Sequence, residues 1–155
     1  MPVHDSPTIR PIAPADFAAW EPLWAGYNAF YGRADSTALA PAITQATWCR
    51  FFDANEPVFA LVAVEGSRLL GIAHYLFHRS TTRIEPVCYL QDLFTTPDAR
   101  GRGVGRALIE GVYVQAASAG AKRVYWQTHE ANAAARRLYA KVAKHLGFIV
   151  YLHDD

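Results

Sequence analysis

The run with the most chemical potential is Asp98-Ala99-Arg100-Gly101-Arg102-Gly103-Val104-Gly105-Arg106, placed between a strand pattern and a helix pattern. Glycines let a backbone approach a ligand closely. Free N–H groups at a helix start, aided by the helix dipole, bind anions. Arg100, Arg102 and Arg106 add positive charge, so a pyrophosphate suits this loop better than a neutral ligand. Two nucleotide-binding patterns can be excluded. A G-x-G-x-x-G run begun at Gly101 needs glycine where Arg106 stands, and an acidic residue about 20 positions on, where Ala121 to Tyr125 offer none. The phosphate-binding loop that ends in Gly-Lys-Ser/Thr has no counterpart either. The plain alternative is a tight turn with solvated arginines. A second candidate lies downstream, where Asn132 and Tyr139 stand seven residues apart and share a helix face over two turns. Tyr139 could equally be a core tyrosine beside Leu138 and Val142. Aromatic residues form a third group: Trp24, Tyr27, Phe30 and Tyr31, with Trp48 a further candidate. Their faces could take up a cation or bury an alkyl chain, whereas Phe17 and Trp20 read as ordinary core.

The elements that must position these groups follow one another with short turns. Thr8 to Ile12 reads as a strand. Pro14 and Asp16 open a helix carrying Phe17, Trp20, Trp24, Tyr27 and Tyr31 at helical spacing. Pro22 inside it predicts a kink or a split. A second helix is expected over Ile43 to Phe52. Val58 to Val64, a Gly66-Ser67 turn and Leu69 to Phe77 read as a hairpin, and Val87 to Thr95 as a third long strand. A helix follows from Gly103 to Gly120, then a strand over Arg123 to Thr128, a helix capped by Asn132 and ended by Gly147, and a last strand over Phe148 to Leu152. The order β-α-α-β-β-β-α-β-α-β is that of an α/β chain with a mixed sheet, antiparallel first and with β-α-β units later.

Composition fits that reading. The 155 residues suit one domain over 1–155, apolar residues make up 52%, and charged residues 19%, below the usual 25% or so. A net charge of +1 gives no general field for collecting nucleic acid. Cys49 and Cys88 lack metal-ligand spacing and read as two free buried thiols, so no metal is expected and a reducing, cytoplasmic setting is. Met1 to Arg10 lack a leader pattern, and no apolar run approaches the roughly 18 residues of a membrane span.

Residues 88–105 resemble the central motif of the GNAT acetyltransferases, whose signature is Gln/Arg-x-x-Gly-x-Gly/Ala. Arg100-x-x-Gly103-x-Gly105 fills every fixed position. Trp126 to Asn132, with Ala135, Leu138-Tyr139 and Gly147-Phe148, is similar to that family's second cofactor motif. The two together cover roughly residues 88–150. The resemblance implies a GNAT fold with a central mixed sheet of about six or seven strands and about four helices. It also implies acetyl-CoA as cosubstrate and a primary amine as acceptor. Leu93, Phe94 and Thr95 are then expected on a strand splayed from its neighbour, facing the pantetheine arm. Backbone N–H groups from Gly101 through Arg102, Gly103, Val104 and Gly105 to Arg106 would hold the pyrophosphate. Asn132 would contact the arm, and Tyr139 would be the general acid for the departing thiolate. Reference values near 8.5 for a thiol and 10 for tyrosine make that donation feasible.

Within the family, Tyr89-Leu90-x-Asp92-Leu93-Phe94 and the aromatic first helix resemble the branch acting on polyamines, histone tails and related free amines. A polyamine, an amino acid, a peptide amine, or mere coenzyme A binding without turnover are therefore all carried forward. The amine must lose its proton, which at pH 7 costs roughly 4–5 kcal/mol for a lysine-like group. Relatives often carry Glu-Asp where this chain has Gln91-Asp92. Gln91 cannot be a base and is expected, with Tyr27, Phe30 and Tyr31, to face the acceptor. Asp92 is the nearest carboxylate, on the opposite face from Gln91, as base or as a structural acceptor. His74, His129, Glu130 or a water chain are the other options. Family members commonly have a strand beyond Phe148 to Leu152. Its absence here exposes a sheet edge, so a homodimer is expected.

Overall fold

The computed structural model describes residues 6–155. Part of the stretch read for a leader, residues 1–5, lies outside them. The chain builds one five-stranded sheet in the spatial order β1 to β5. These strands are β1 (Thr8–Pro11), β2 (Val58–Glu65), β3 (Arg68–His78), β4 (Val87–Thr95) and β5 (Val124–Tyr125). The first four pair antiparallel, and β5 lies parallel to β4. Four α-helices flank it: α1 (Phe17–Phe30), α2 (Pro41–Arg50), α3 (Val104–Ser118) and α4 (Ala133–Val142).

Alternation along the strands assigns the two faces. Ala60, Val62 and Ile72 join Trp20, Leu23, Trp24 and Tyr27 in an aromatic-rich core under α1. Leu61, Ala63, Ala73, Cys88 and Leu90 meet Val104, Leu108, Ile109 and Val112 of α3 on the other face. Leu93 and Phe94 divide in the same way, one to each core. The close seating of α1 depends on Gly26, because a Cβ there would stand 2.8 Å from the Phe94 ring.

Several expectations are corrected. Pro22 does not split α1, which runs through it unbroken. It sits on an exposed stretch of the helix, where water can satisfy the carbonyl that loses its N–H partner. Helix α2 begins at Pro41, earlier than expected, since proline suits the first helical position. The strand expected over Arg123 to Thr128 pairs only at Val124 and Tyr125. Phe148 to Leu152 form no strand, so the sheet has five strands instead of six or seven. At two residues long, β5 itself offers a further strand almost nothing to pair with. Cys49 is exposed, and only Cys88 is buried. Burial pushes the Cys88 thiol up to about 12, which makes it unreactive.

Candidate active site

The glycine loop is built as an anion cradle. Gly101 and Gly103 have φ of +77° and +81°, a region that costs other residues strain, and Gly103 is the N-cap of α3. The first backbone bond of the following helix runs from the Ala107 N–H to the Gly103 carbonyl. None of the N–H groups from Gly101 to Arg106 finds an acceptor among the described residues. These unspent donors converge at the positive end of a 15-residue helix. The arginines contribute unequally. Arg106 donates to Glu110 one turn on at 2.9 Å, and Arg102 donates from Nη2 to Glu65, leaving its buried Nε without an acceptor. Arg100 has no carboxylate partner among the described residues. It lies 5.6 Å from the Phe94 ring centroid and donates to the Thr95 carbonyl at 3.2 Å.

Strand β4 leads from this loop into the sheet. It pairs with β5 only at Cys88–Val124 and Tyr89–Tyr125, after which the two part. From Leu90 to Thr95, a stretch that includes Leu93, Phe94 and Thr95, the β4 backbone therefore has no strand on that side. Helix α4 lies nearby, with Leu138 3.3 Å from where a Cβ on Gly105 would stand. Asn132 caps α4, its Oδ1 accepting from the Ala135 N–H at 3.4 Å and its Nδ2 donating to Thr128. Tyr139 packs edge-on to Trp126, ring centroids 5.4 Å apart. Its hydroxyl has no hydrogen-bond partner among the described residues. Burial, with a smaller push from Tyr31, raises its phenol to about 12.

Asp92 sits on the α1 side of β4, in a setting the sequence did not reveal. A bulge in the β3/β4 ladder pairs His74 with Asp92 and Tyr75 with Leu90, so Gln91 is the unpaired residue and is exposed. His74 is 3% exposed and bridges two groups. Trp20 Nε1 donates to His74 Nε2 at 3.0 Å, and His74 Nδ1 lies 3.0 Å from Asp92 Oδ2. An indole N–H can only donate, so Nε2 must accept. The ring proton then sits on Nδ1 and points at the carboxylate. The chain Trp20–His74–Asp92 fixes one carboxylate oxygen. Tyr27 and Tyr31 approach from α1, and burial raises both phenols, with the nearby Asp92 charge adding to each. Both therefore stay protonated and can donate. Tyr31 is also close enough to Tyr139 to oppose its ionisation.

A GNAT-family profile described as "Acetyltransferase (GNAT) family" matches residues 20–148. The chain belongs to the GNAT acetyltransferase family. It is an N-acetyltransferase that depends on acetyl-CoA. It is 37% identical to the D-amino-acid N-acetyltransferase HPA3 of Saccharomyces cerevisiae, across 96% of this chain and 91% of that one. It is 31% identical to the aminoglycoside N(6')-acetyltransferase type 1 of Stenotrophomonas maltophilia, across 79% and 75%. Among solved structures, AAC(6')-Iy in complex with the bisubstrate analog CoA-S-monomethyl-acetylneamine shares the fold. The TM-score is 0.80 at 16% identity, covering 96% of this chain and 97% of that one.

The acetyltransferase brings Asp92, Tyr27, Tyr31 and, through Tyr31, Tyr139 into one neighbourhood. Phe30 lies beside Tyr31, ring centroids 5.1 Å apart, and is exposed. Other candidates fall elsewhere. Trp48 packs against Phe17 and Trp20 in the core. His129 and Glu130 are exposed, and His129 Nδ1 accepts from the Ala131 N–H. Arg33 was missed. Its guanidinium carbon lies 5.9 Å from the Tyr27 ring and 5.6 Å from the Tyr31 ring. Its signal was position, just past the helix end that carries Tyr27, Phe30 and Tyr31. Among the described residues no cluster of His, Cys, Asp and Glu could hold a metal ion, and no helix is long and apolar enough to cross a membrane.

Proposed function

We propose that this single-domain acetyltransferase acylates the amino group of a small molecule, an amino acid above all, by direct attack on acetyl-CoA. The observation that carries the reading is the unpaired stretch of β4. It runs from the free amides of the loop to Asp92, on the face that α1 covers with Tyr27, and Tyr31 is near enough to Tyr139 to oppose its ionisation. Its fit to the cosubstrate rests on those amides, which suit a pyrophosphate, and on the open backbone of Leu93, Phe94 and Thr95, which suits an amide-bearing arm. Acetyl-CoA supplies an activated acyl group. The acceptor attacks from its neutral amine fraction, its first proton having gone to water, and Asp92, held by His74, receives the second proton, which the nitrogen sheds as it bonds to the acyl carbon. A carboxylate suffices because the nitrogen becomes strongly acidic at that moment. Tyr139 gives its unpartnered hydroxyl proton to the departing sulfur. The named activity of the yeast relative supports an amino-acid acceptor, and that of the Stenotrophomonas relative supports small amines more widely.

Asp92→Asn tests the assignment. The expected result is a fall in kcat/KM of about 100-fold near neutral pH. The loss shrinks as pH rises, because hydroxide then takes the proton that the acylated nitrogen sheds. A variant with wild-type kcat/KM at neutral pH would remove Asp92 from proton transfer.

We further propose a cytoplasmic homodimer. The unpaired cysteines suit a reducing compartment. Phe148 to Leu152 are five consecutive apolar residues, 67–88% exposed, with strand-forming side chains and no partner strand. A second copy is the occupant that buries this segment in both chains at once. Light scattering should give twice the chain mass for the wild type and the single mass for an Ile149→Asp, Val150→Lys variant. A monomeric wild type at micromolar concentration contradicts the proposal.

A further inference from the structure

Arg33 is a cation without a counter-ion beside the proposed acceptor site. Its Nε donates to Asn28 Oδ1 at 2.7 Å, and its backbone N–H to the Asn28 carbonyl at 2.9 Å. Those bonds fix the side chain at the end of α1. Nη1 and Nη2 have no acceptor, and no carboxylate lies within ion-pair distance, among the described residues. The guanidinium instead rests near the Tyr27 and Tyr31 rings, themselves 5.0 Å apart. Asp92 acts on the same two phenols. The pair of rings thus has an unspent guanidinium beside it and leads, through the stack of Tyr27 on Trp24 and of Trp24 against His74, to Asp92.

We propose that Arg33 binds the carboxylate of an α-amino-acid acceptor whose amino group faces Asp92, making Arg33 the residue that selects amino acids over plain amines. The inference rests on the acetyl-transfer reading above and names its specificity determinant. Geometry favours a carboxylate. The two free guanidinium nitrogens can donate in parallel to its two oxygens, and such charge-assisted pairs outweigh neutral hydrogen bonds. The same charge repels the second ammonium of a polyamine, so the site discriminates by repulsion as well as by attraction.

The test compares phenylalanine, as each enantiomer, with phenethylamine, which lacks only the carboxylate. Wild-type enzyme should favour at least one enantiomer in kcat/KM. In Arg33→Met, the ratio of kcat/KM for that enantiomer to that for phenethylamine should fall about 10- to 100-fold, mainly through KM. Arg33→Lys should restore part of it. Calorimetric titration with acetyl-CoA reports whether each variant is folded and loaded. An unchanged ratio in Arg33→Met, or a wild type that prefers phenethylamine, overturns the role of Arg33 while leaving acetyl transfer intact. A wild type that acetylates neither compound nor any other amine overturns the acetyl-transfer reading itself.

Discussion

Tyr139→Phe lowers kcat by about 100- to 1,000-fold while acetyl-CoA binding changes little. The substitution removes one oxygen and keeps the ring, so the contact with Trp126 and the packing of α4 on the α3 core survive. The hydroxyl has no partner among the described residues, so its loss leaves no buried group unsatisfied and costs little stability. On the proposed assignment, the one thing lost is proton donation to the sulfur. Its pH dependence has a definite sign. Burial holds the Tyr139 phenol up to about 12. The donating proton is present below that value and is lost only as pH rises through it. No alkaline fall in kcat from this residue is therefore expected below roughly pH 11. Single-turnover kinetics, together with calorimetric titration of acetyl-CoA, separate chemistry from binding. Full turnover in the variant would return Tyr139 to the status of a core residue.

Gly103→Val weakens acetyl-CoA binding by about 100-fold. Gly103 has φ +81° and begins α3. A β-branched residue there must leave the left-handed region and turn the following amides with it. A Cβ at this position meets no other atom within 4 Å. The fold therefore keeps its core and bears only local backbone strain, so circular dichroism should stay near wild type while calorimetry loses the cofactor. A valine variant that binds acetyl-CoA normally would show that the loop amides do not hold the pyrophosphate.

The two sites behind these predictions were legible for different reasons. The loop is local. Its glycines, its arginines and the change from strand to helix period all fall within nine residues, and short-range sterics alone dictate its shape. The order of the helices and the first strands was equally readable, because each carries its own period and stop signals. Asp92 was readable only as a residue type. Its partners are His74, 18 residues away, and, through that ring, Trp20, 54 residues from His74. A one-residue bulge at Gln91 decides how β4 meets β3, and nothing in the alternation of side chains announces it. Glu65 is paired with Arg102 by the same tertiary folding, whereas the Arg106–Glu110 pair could have been read from its spacing. The C-terminal strand failed in the opposite sense. Phe148 to Leu152 have the composition of a strand, but a strand needs an edge to pair with, and β5 offers two residues. Arg33 escaped notice because a single arginine after a helix carries no motif. It gains meaning only beside Tyr27, Tyr31 and Asp92.

The most direct measurement is release of free thiol from acetyl-CoA by the wild-type protein, with each amine added in turn and the product identified by mass. Release that depends on an amino acid, with the N-acetyl amino acid as product, is the predicted result. Binding of acetyl-CoA with no thiol released by any amino acid, polyamine, aminoglycoside or peptide amine would contradict the account.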